Sequence, residues 1–197
     1  SYEEGLRCVR AARDRSGECR YLANLAICKQ ESGDLMTATL YCMAALELVK
    51  QTGDRTWEAH VWNVISETLA SLGQISAAMQ ASEQARKLAH NSFQREIEVV
   101  ALANLGQLYE MQDEAPDKSN RALDECNRAC RIAEECKFQL GQSAARRNLG
   151  SLNIRKGRYA LASKTLTKAM KLADSTQNVQ LQQTICIELA TALLLDD

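Results

Sequence analysis

The chain has 197 residues, of which 46% are hydrophobic and 5% aromatic, with nine glycines and one proline. This composition supplies a core but few turn residues, and strict apolar–polar alternation is lacking, so we predict an all-α protein without a sheet. The 24 basic and 25 acidic residues nearly cancel, which argues against a dedicated nucleic-acid binder. The lack of an apolar run of about 18 residues argues against membrane insertion.

One pattern recurs along the sequence at a nearly fixed period. Its copies are Asn24-Leu25-Ala26, Val64-Ile65-Ser66, Asn104-Leu105-Gly106, Asn148-Leu149-Gly150 and a weaker Glu188-Leu189-Ala190. The central positions are 40, 40, 44 and 40 residues apart, and a second marker has spacings of 40, 44 and 40, at Ala45, Ala85, Ala129 and Ala169. Such a period predicts an array of repeats that bury their apolar faces against their neighbours.

In chain order, the array is predicted to begin and end with a single helix. Residues 1–16 align with the second helix of a preceding repeat, 17–55 form repeat 1, 56–93 repeat 2, 94–138 repeat 3 and 139–179 repeat 4, and 180–197 align with the first helix of a fifth repeat or form a capping helix. Each full repeat is predicted to contain helix A, a turn and helix B. We expect a segment of a longer array, or an array closed by a short capping helix.

The predicted turns between helices A and B are short and centred on glycine in three repeats: Gly33-Asp34, Gly73-Gln74 and Gly157-Arg158. Glycine readily adopts the left-handed conformation that ends a helix. In repeat 3 the two markers are four residues further apart, and we assign this insertion to a turn over residues 112–120. That turn contains Pro116, which suits a loop or a first helical turn but not a helix interior.

Repeat 4 contains a set of residues in a familiar order, namely Leu149-Gly150, Gly157, Tyr159, Ala162, Leu166 and Ala169. This order resembles the tetratricopeptide repeat, and the period of about 40, instead of 34, is similar to the long-period arrays of kinesin light chains and Pins-type adaptors. The resemblance implies a right-handed α-solenoid, a superhelix of helix-turn-helix repeats. Repeat 2 departs from the pattern at Ser66 and at Ser82, where a large apolar residue is usual.

Eight cysteines are spread along the predicted helices: Cys8, Cys19, Cys28, Cys42, Cys126, Cys130, Cys136 and Cys186. Cys42 and Cys126 occupy equivalent positions in two repeats, which suits a small buried side chain. This usage favours a reducing intracellular compartment, the cytoplasm or the nucleus, over a disulfide scaffold. Cys126 and Cys130 lie four residues apart on one helix and could bind a metal, but no second ligand pair accompanies them, so we favour packing.

The sequence does not predict an enzyme. It has two histidines, His60 and His90, both in repeat 2, and it contains no P-loop, dinucleotide-binding or zinc-hydrolase motif. A catalytic triad and a multi-histidine metal site are therefore poorly supported. We expect no cofactor and no small-molecule substrate.

Asparagines provide the strongest functional signal. Asn24, Asn104 and Asn148 share one position of helix A, and Asn63 lies one residue from the equivalent point in repeat 2. An amide side chain both donates and accepts, so it can pair with the main chain of an extended peptide. In the arrays that the chain resembles, asparagines at this position line the concave groove and hold the ligand backbone. The alternative is a structural hydrogen bond within or between helices.

Other helix A positions are expected to face the same groove: Arg20, Ile27, Glu31, His60, Glu67, Gln107, Glu110, Arg147, Ser151, Arg155 and Glu188. Arginines at these positions could form bidentate pairs with partner carboxylates, whereas the glutamates would favour basic side chains. The mixture predicts a charged, extended protein or peptide partner.

We therefore predict a scaffold or adaptor that binds an extended or partly helical partner segment in its concave groove, within a multi-protein complex. The alternative is a regulatory or self-assembly domain of a larger polypeptide, with the groove occupied by its own chain or by another copy.

Overall fold

The computed structural model describes residues 2–112 and 116–196, which form ten α-helices and no strand. The helices are α1 (Tyr2–Ala11), α2 (Arg15–Glu31), α3 (Leu35–Thr52), α4 (Arg55–Ser71), α5 (Ile75–Asn91), α6 (Arg95–Met111), α7 (Pro116–Glu135), α8 (Gln139–Arg155), α9 (Tyr159–Thr176) and α10 (Val179–Asp196). The predicted all-α class is confirmed. Even-numbered helices are the A helices of the repeats, and odd-numbered helices are the B helices.

Three aspartates spaced 20 residues apart begin α2, α3 and α4. Each side chain accepts a hydrogen bond from the backbone N–H three residues later, at 2.8 Å for Asp14, 3.2 Å for Asp34 and 3.1 Å for Asp54. These bonds satisfy donors that the first turn of a helix leaves unpaired. The aspartates therefore determine where the first helices of the chain begin.

A left-handed residue precedes the start of most helices. The predicted turn glycines have positive φ angles, 80° at Gly33, 75° at Gly73 and 68° at Gly157, which confirms their role. Non-glycine residues take the same conformation at four other junctions: Arg13, Phe93, Lys137 and Gln177. The reversal of the chain thus has the same backbone form within repeats and between them.

The chain divides into two compact units, one ending at Ala101 and the other beginning at Leu102, within α6. In unit 1, α1 packs on α2, α2 on α3, α3 on α4 and α4 on α5, and α2 also contacts α4. The main core of this unit is built from buried side chains of α1 to α4, among them Leu6, Leu22 and Val49. Each helix thus packs on its neighbours in the chain, which is the pattern of a helical-repeat protein.

Unit 2 follows the same packing scheme. Here α7 packs on α8, α8 on α9 and α9 on α10, while α8 also contacts α10. The core between α9 and α10 contains Leu166, Ala169, Ala173 and Ile185, all fully buried. Contact between α8 and α10, as between α2 and α4, brings successive A helices side by side.

One contact between helices A and B uses a different pair of side chains in each repeat. The pairs are Ala26 with Cys42, Ser66 with Ser82, Gly106 with Cys126 and Gly150 with Leu166. A Cβ added to Gly150 would lie 2.5 Å from Cγ and Cδ2 of Leu166. The glycine is therefore required because the leucine occupies the space beside it.

The serine pair of repeat 2 solves the same packing problem with hydrogen bonds. Ser66 Oγ lies 2.7 Å from Ser82 Oγ and donates to the carbonyl oxygen of Ala78 at 2.9 Å. Both serines are at most 1% exposed. The departure of repeat 2 from the sequence pattern is therefore a paired change, in which each buried hydroxyl has a partner.

The predicted turn of repeat 3 needs correction. Helix α6 ends at Met111 and α7 begins at Pro116, so residues 116–120 belong to a helix, while residues 113–115 of that turn lie outside the described residues. Helix α7 has 20 residues, against 17 or 18 in α3, α5 and α9. Proline is tolerated at a first helical position because its missing N–H would have no partner there. The insertion therefore lengthens helix B of this repeat.

Candidate functional site

In unit 1, the predicted partner-binding residues lie on two neighbouring A helices. They are Arg20 and Asn24 on α2, and His60, Asn63 and Glu67 on α4. Arg20 is exposed and Asn24 is half-buried. Contact between the two helices includes a hydrogen bond of 3.2 Å from Thr68 Oγ1 to Gln30 Oε1. The two helices thus present these residues from one continuous pair of elements.

His60 lies in an apolar environment on α4. Its ring meets that of Trp57 edge-on, with 5.0 Å between the centroids. Burial lowers the pKa of His60 below its ordinary value, so the neutral imidazole prevails at pH 7. His60 therefore offers a hydrogen-bonding group at this position, without a charge.

Two of the predicted asparagines connect α4 and α8 to α6. Asn63 Nδ2 donates to the carbonyl oxygen of Ile97 at 3.2 Å in unit 1, and Asn148 Nδ2 donates to that of Ala103 at 3.1 Å in unit 2. Oδ1 of Asn63 is buried without a partner among the described residues. A structural role is thus present for Asn63 and Asn148, and contact with a partner stays a prediction for all four asparagines, including Asn24 and Asn104.

In unit 2, most of the predicted residues surround one open cavity of about 250 Å³. It is lined by Gln107, Glu110 and Met111 from α6, and by Arg147, Asn148, Ser151 and Arg155 from α8. Six of these seven side chains were predicted from their positions on helix A. The structure thus brings the predicted residues of two successive A helices together.

Ion pairs cross between A helices around this cavity. Arg155 Nη1 lies 3.3 Å from Glu110 Oε1 and donates to the Glu110 carbonyl oxygen at 3.1 Å. Arg147 donates from Nε and Nη2 to Glu188 Oε1, at 2.9 and 2.7 Å. The arginines that were expected to bind partner carboxylates therefore already contact carboxylates of their own chain.

The two carboxylates are not fully satisfied by these arginines. Oε2 of Glu188 is buried without a hydrogen-bond partner among the described residues. Burial raises the pKa of Glu110, and the charge of Glu188 adds to this, whereas Arg155 and Arg147 oppose it. Both acids are thus desolvated groups with unused capacity to accept hydrogen bonds.

Met111 is the cavity residue that sequence reasoning missed. It follows Gln107 by four residues and Asn104 by seven, which is the spacing of one helix face. The helical register alone would have included it. It was overlooked because the selection favoured polar and charged side chains.

The cysteines divide into buried and exposed groups, and none forms a disulfide. Cys42 and Cys126 are 3% and 0% exposed, as predicted for their shared position, whereas Cys8, Cys28 and Cys186 are exposed. Burial raises the pKa of Cys42 to about 11 and that of Cys126 well above its usual range. Buried thiols of this kind carry little thiolate and act as packing groups.

We expect alkylation to separate these cysteines. At pH 7.5, N-ethylmaleimide should modify Cys8, Cys28 and Cys186 first, while Cys42 reacts at least about 100-fold more slowly, since its thiolate fraction is lower by about two powers of ten and access is blocked. Peptide mass spectrometry after timed quenching measures the rates. Denaturation in guanidinium is the control and should make all eight cysteines react alike, and equal rates in the native protein would contradict the prediction.

Two further searches concern the described residues alone. No group of three or more histidine, cysteine, aspartate or glutamate side chains is placed to hold a metal ion. None of the helices there combines the length and apolarity needed to cross a bilayer.

Comparison with known proteins identifies the architecture. No protein-family model and no curated protein matches the sequence. The fold is similar to a crystal structure of BtubC (BKLC) from P. vanneervenii, with a TM-score of 0.71 and 16% sequence identity, over 99% of this chain and 84% of that one. Together with the sequential packing of its helices, this likeness shows that the chain has an all-α helical-repeat solenoid fold.

Proposed function

We propose that this chain is a tetratricopeptide-type interaction scaffold, without catalytic activity, whose A helices bind an extended or partly helical segment of a partner protein. The observation that supports this most directly is the cavity of unit 2, since six of its seven lining side chains occupy the helix A positions that the sequence assigns to a partner. The cysteines, all free, support a reducing compartment such as the cytoplasm.

The size of the cavity suits a side chain of a longer segment. Its volume of about 250 Å³ is below the range of roughly 300–1,000 Å³ that is usual for pockets enclosing a small molecule. It is also open along α6 and α8, where a chain can enter and leave. A peptide that places one or two side chains here, while its main chain follows the A helices, fits this geometry.

The ion pairs favour a partner segment with both signs of charge. A partner carboxylate that took Arg147 or Arg155 would leave Glu188 or Glu110 without its cation, and an unpaired, desolvated carboxylate is costly. A basic partner residue beside that carboxylate would satisfy the released glutamate. We therefore propose a segment in which acidic and basic residues are near neighbours.

A blocking variant tests the proposal. Ser151 lies half-buried at the cavity, so Ser151→Trp should fill this space and weaken peptide binding by at least about tenfold, or roughly 1.4 kcal/mol. The probes are peptides selected from a random 12-residue display library against the wild-type chain. Fluorescence anisotropy of each labelled peptide measures its affinity for both proteins.

The matched control is Lys164→Trp, which places the same side chain at an exposed position of α9. This variant should bind the selected peptides as the wild type does. Circular dichroism should show equal helicity for all three proteins. If no peptide is enriched, or if Ser151→Trp binds as tightly as Lys164→Trp, the cavity is not the binding site and the proposal fails.

A further inference from the structure

Helix α3 of unit 1 carries an exposed apolar surface that the groove does not use. Met36, Leu40 and Met43 are 74%, 64% and 64% exposed. Their spacing of four and three residues places them on one face of the helix, and we call them the α3 stripe. Large apolar side chains exposed together are uncommon on the surface of a protein that functions alone.

The equivalent positions of the other B helices are polar or small. They are Ser76, Gln80 and Glu83 in α5, Asn120, Asp124 and Asn127 in α7, and Ala160, Lys164 and Thr167 in α9. The repeat architecture therefore does not require large apolar side chains at these positions. The apolar character belongs to α3 in particular, and packing within the array does not explain it.

An acidic residue marks one end of the α3 stripe. Glu47 lies four residues beyond Met43 on the same face and is exposed. It accepts a hydrogen bond of 3.3 Å from the neutral amide of Gln51, which in turn accepts one from Arg15. Within the described part of the chain, Glu47 makes no ion pair. The surface is thus apolar along two turns of helix and negative at its end.

The size of the stripe restricts its occupant. Three side chains along two helical turns provide far less than the area of about 800 Å² per partner that a stable dimer of two folded proteins buries. They match the apolar face of a single amphipathic helix, whose contacts recur at the same spacing. Methionine suits such contacts because its side chain adapts to differently shaped partners.

We propose that the α3 stripe docks an amphipathic helix of a partner protein, with apolar side chains on Met36, Leu40 and Met43 and a basic residue facing Glu47. This surface lies on a B helix of unit 1, so the proposal does not depend on the A-helix cavity of unit 2.

The probe is an 18-residue synthetic helix of leucine and lysine, with leucine along one face. A second peptide has glutamate in place of lysine. The test variant combines Met36→Ser, Leu40→Gln and Met43→Asn, which are residues that other B helices carry at these positions. Isothermal titration of the full chain should show micromolar binding of the lysine peptide by the wild type. Binding by the triple variant should be at least tenfold weaker.

Two further variants sharpen the result. Glu47→Lys, at an exposed position, should reverse the preference, so that the glutamate peptide binds more tightly than the lysine peptide. Leu161→Gln removes an exposed apolar side chain from α9 and should leave binding unchanged.

Three results would overturn the proposal. The first is equal binding of the lysine peptide by the wild type and the triple variant, or no binding by either. The second is a Glu47→Lys protein that keeps the wild-type preference, and this variant decides the matter if the triple variant does not fold. The third is self-association of the wild type in sedimentation that the triple variant abolishes, which would assign the stripe to a second copy of the chain.

Discussion

Leu166→Ala is expected to lower the free energy of unfolding by about 2–5 kcal/mol, the range for removing a fully buried leucine side chain. Leu166 is 0% exposed and packs with Ala162, Ala169 and Ile185 in the core of α9 and α10. It also fills the space beside Gly150 of α8. Its loss would leave a cavity between three helices of unit 2, and urea denaturation followed by circular dichroism measures the cost.

A second substitution tests the pairing itself. Gly150→Ala alone should cost about 1–3 kcal/mol, because its methyl group overlaps Leu166. Combined with Leu166→Ala, the same methyl group enters the vacated space, so the double variant should be more stable than the sum of the two effects implies. Ala190→Leu, at the exposed equivalent position of α10, is the control and should change stability by less than about 0.5 kcal/mol. Strict additivity of the two core variants would contradict the pairing.

Ser82→Leu should destabilise the protein by about 2–4 kcal/mol, although it introduces the residue that repeat 4 carries at this position. Ser82 is 0% exposed, and the larger side chain would overlap Ser66 and remove the hydrogen bond between the two hydroxyls. The buried Ser66 would then keep only its bond to the Ala78 carbonyl oxygen. The midpoint of urea denaturation measures this effect.

Recovery by a second substitution distinguishes a local misfit from a general intolerance of α5. Adding Ser66→Gly recreates the glycine–leucine combination of repeat 4, so the double variant should regain at least half of the lost stability. Ser76→Leu, on the exposed face of α5, is the matched control and should change stability little. The interpretation fails if Ser66→Gly does not improve the stability of Ser82→Leu.

The sequence predicts the helical framework well because its signals are periodic. The recurring leucine and glycine positions are core residues, as Leu25, Leu105 and Gly150 show by their burial. The glycines at the turns have the expected left-handed conformation. The turn of repeat 3 was less predictable, because helix-forming residues follow Pro116 and a proline at the start of a helix has the same sequence signature as one in a loop.

The candidate site was predicted in part, for a related reason. Helical register placed Gln107, Glu110, Arg147 and Arg155 on one side of their helices, and the structure brings them to one cavity. Register says nothing about which A-helix side chains meet across the gap, since this depends on the packing of successive repeats. The Arg147–Glu188 pair, 41 residues apart, is therefore visible only in three dimensions.

The different side-chain pairs between A and B helices also bear on how the chain finds its fold. An array of similar helices could pair wrongly, for instance α4 with α9. That arrangement would place Leu166 against Ser66, where a leucine does not fit, and α8 with α5 would leave Ser82 beside an empty space at Gly150. Each repeat thus carries its own lock and key, which rejects helices from other repeats during folding. Arrays rebuilt from this chain should therefore keep each A helix with its own B helix and be joined between repeats.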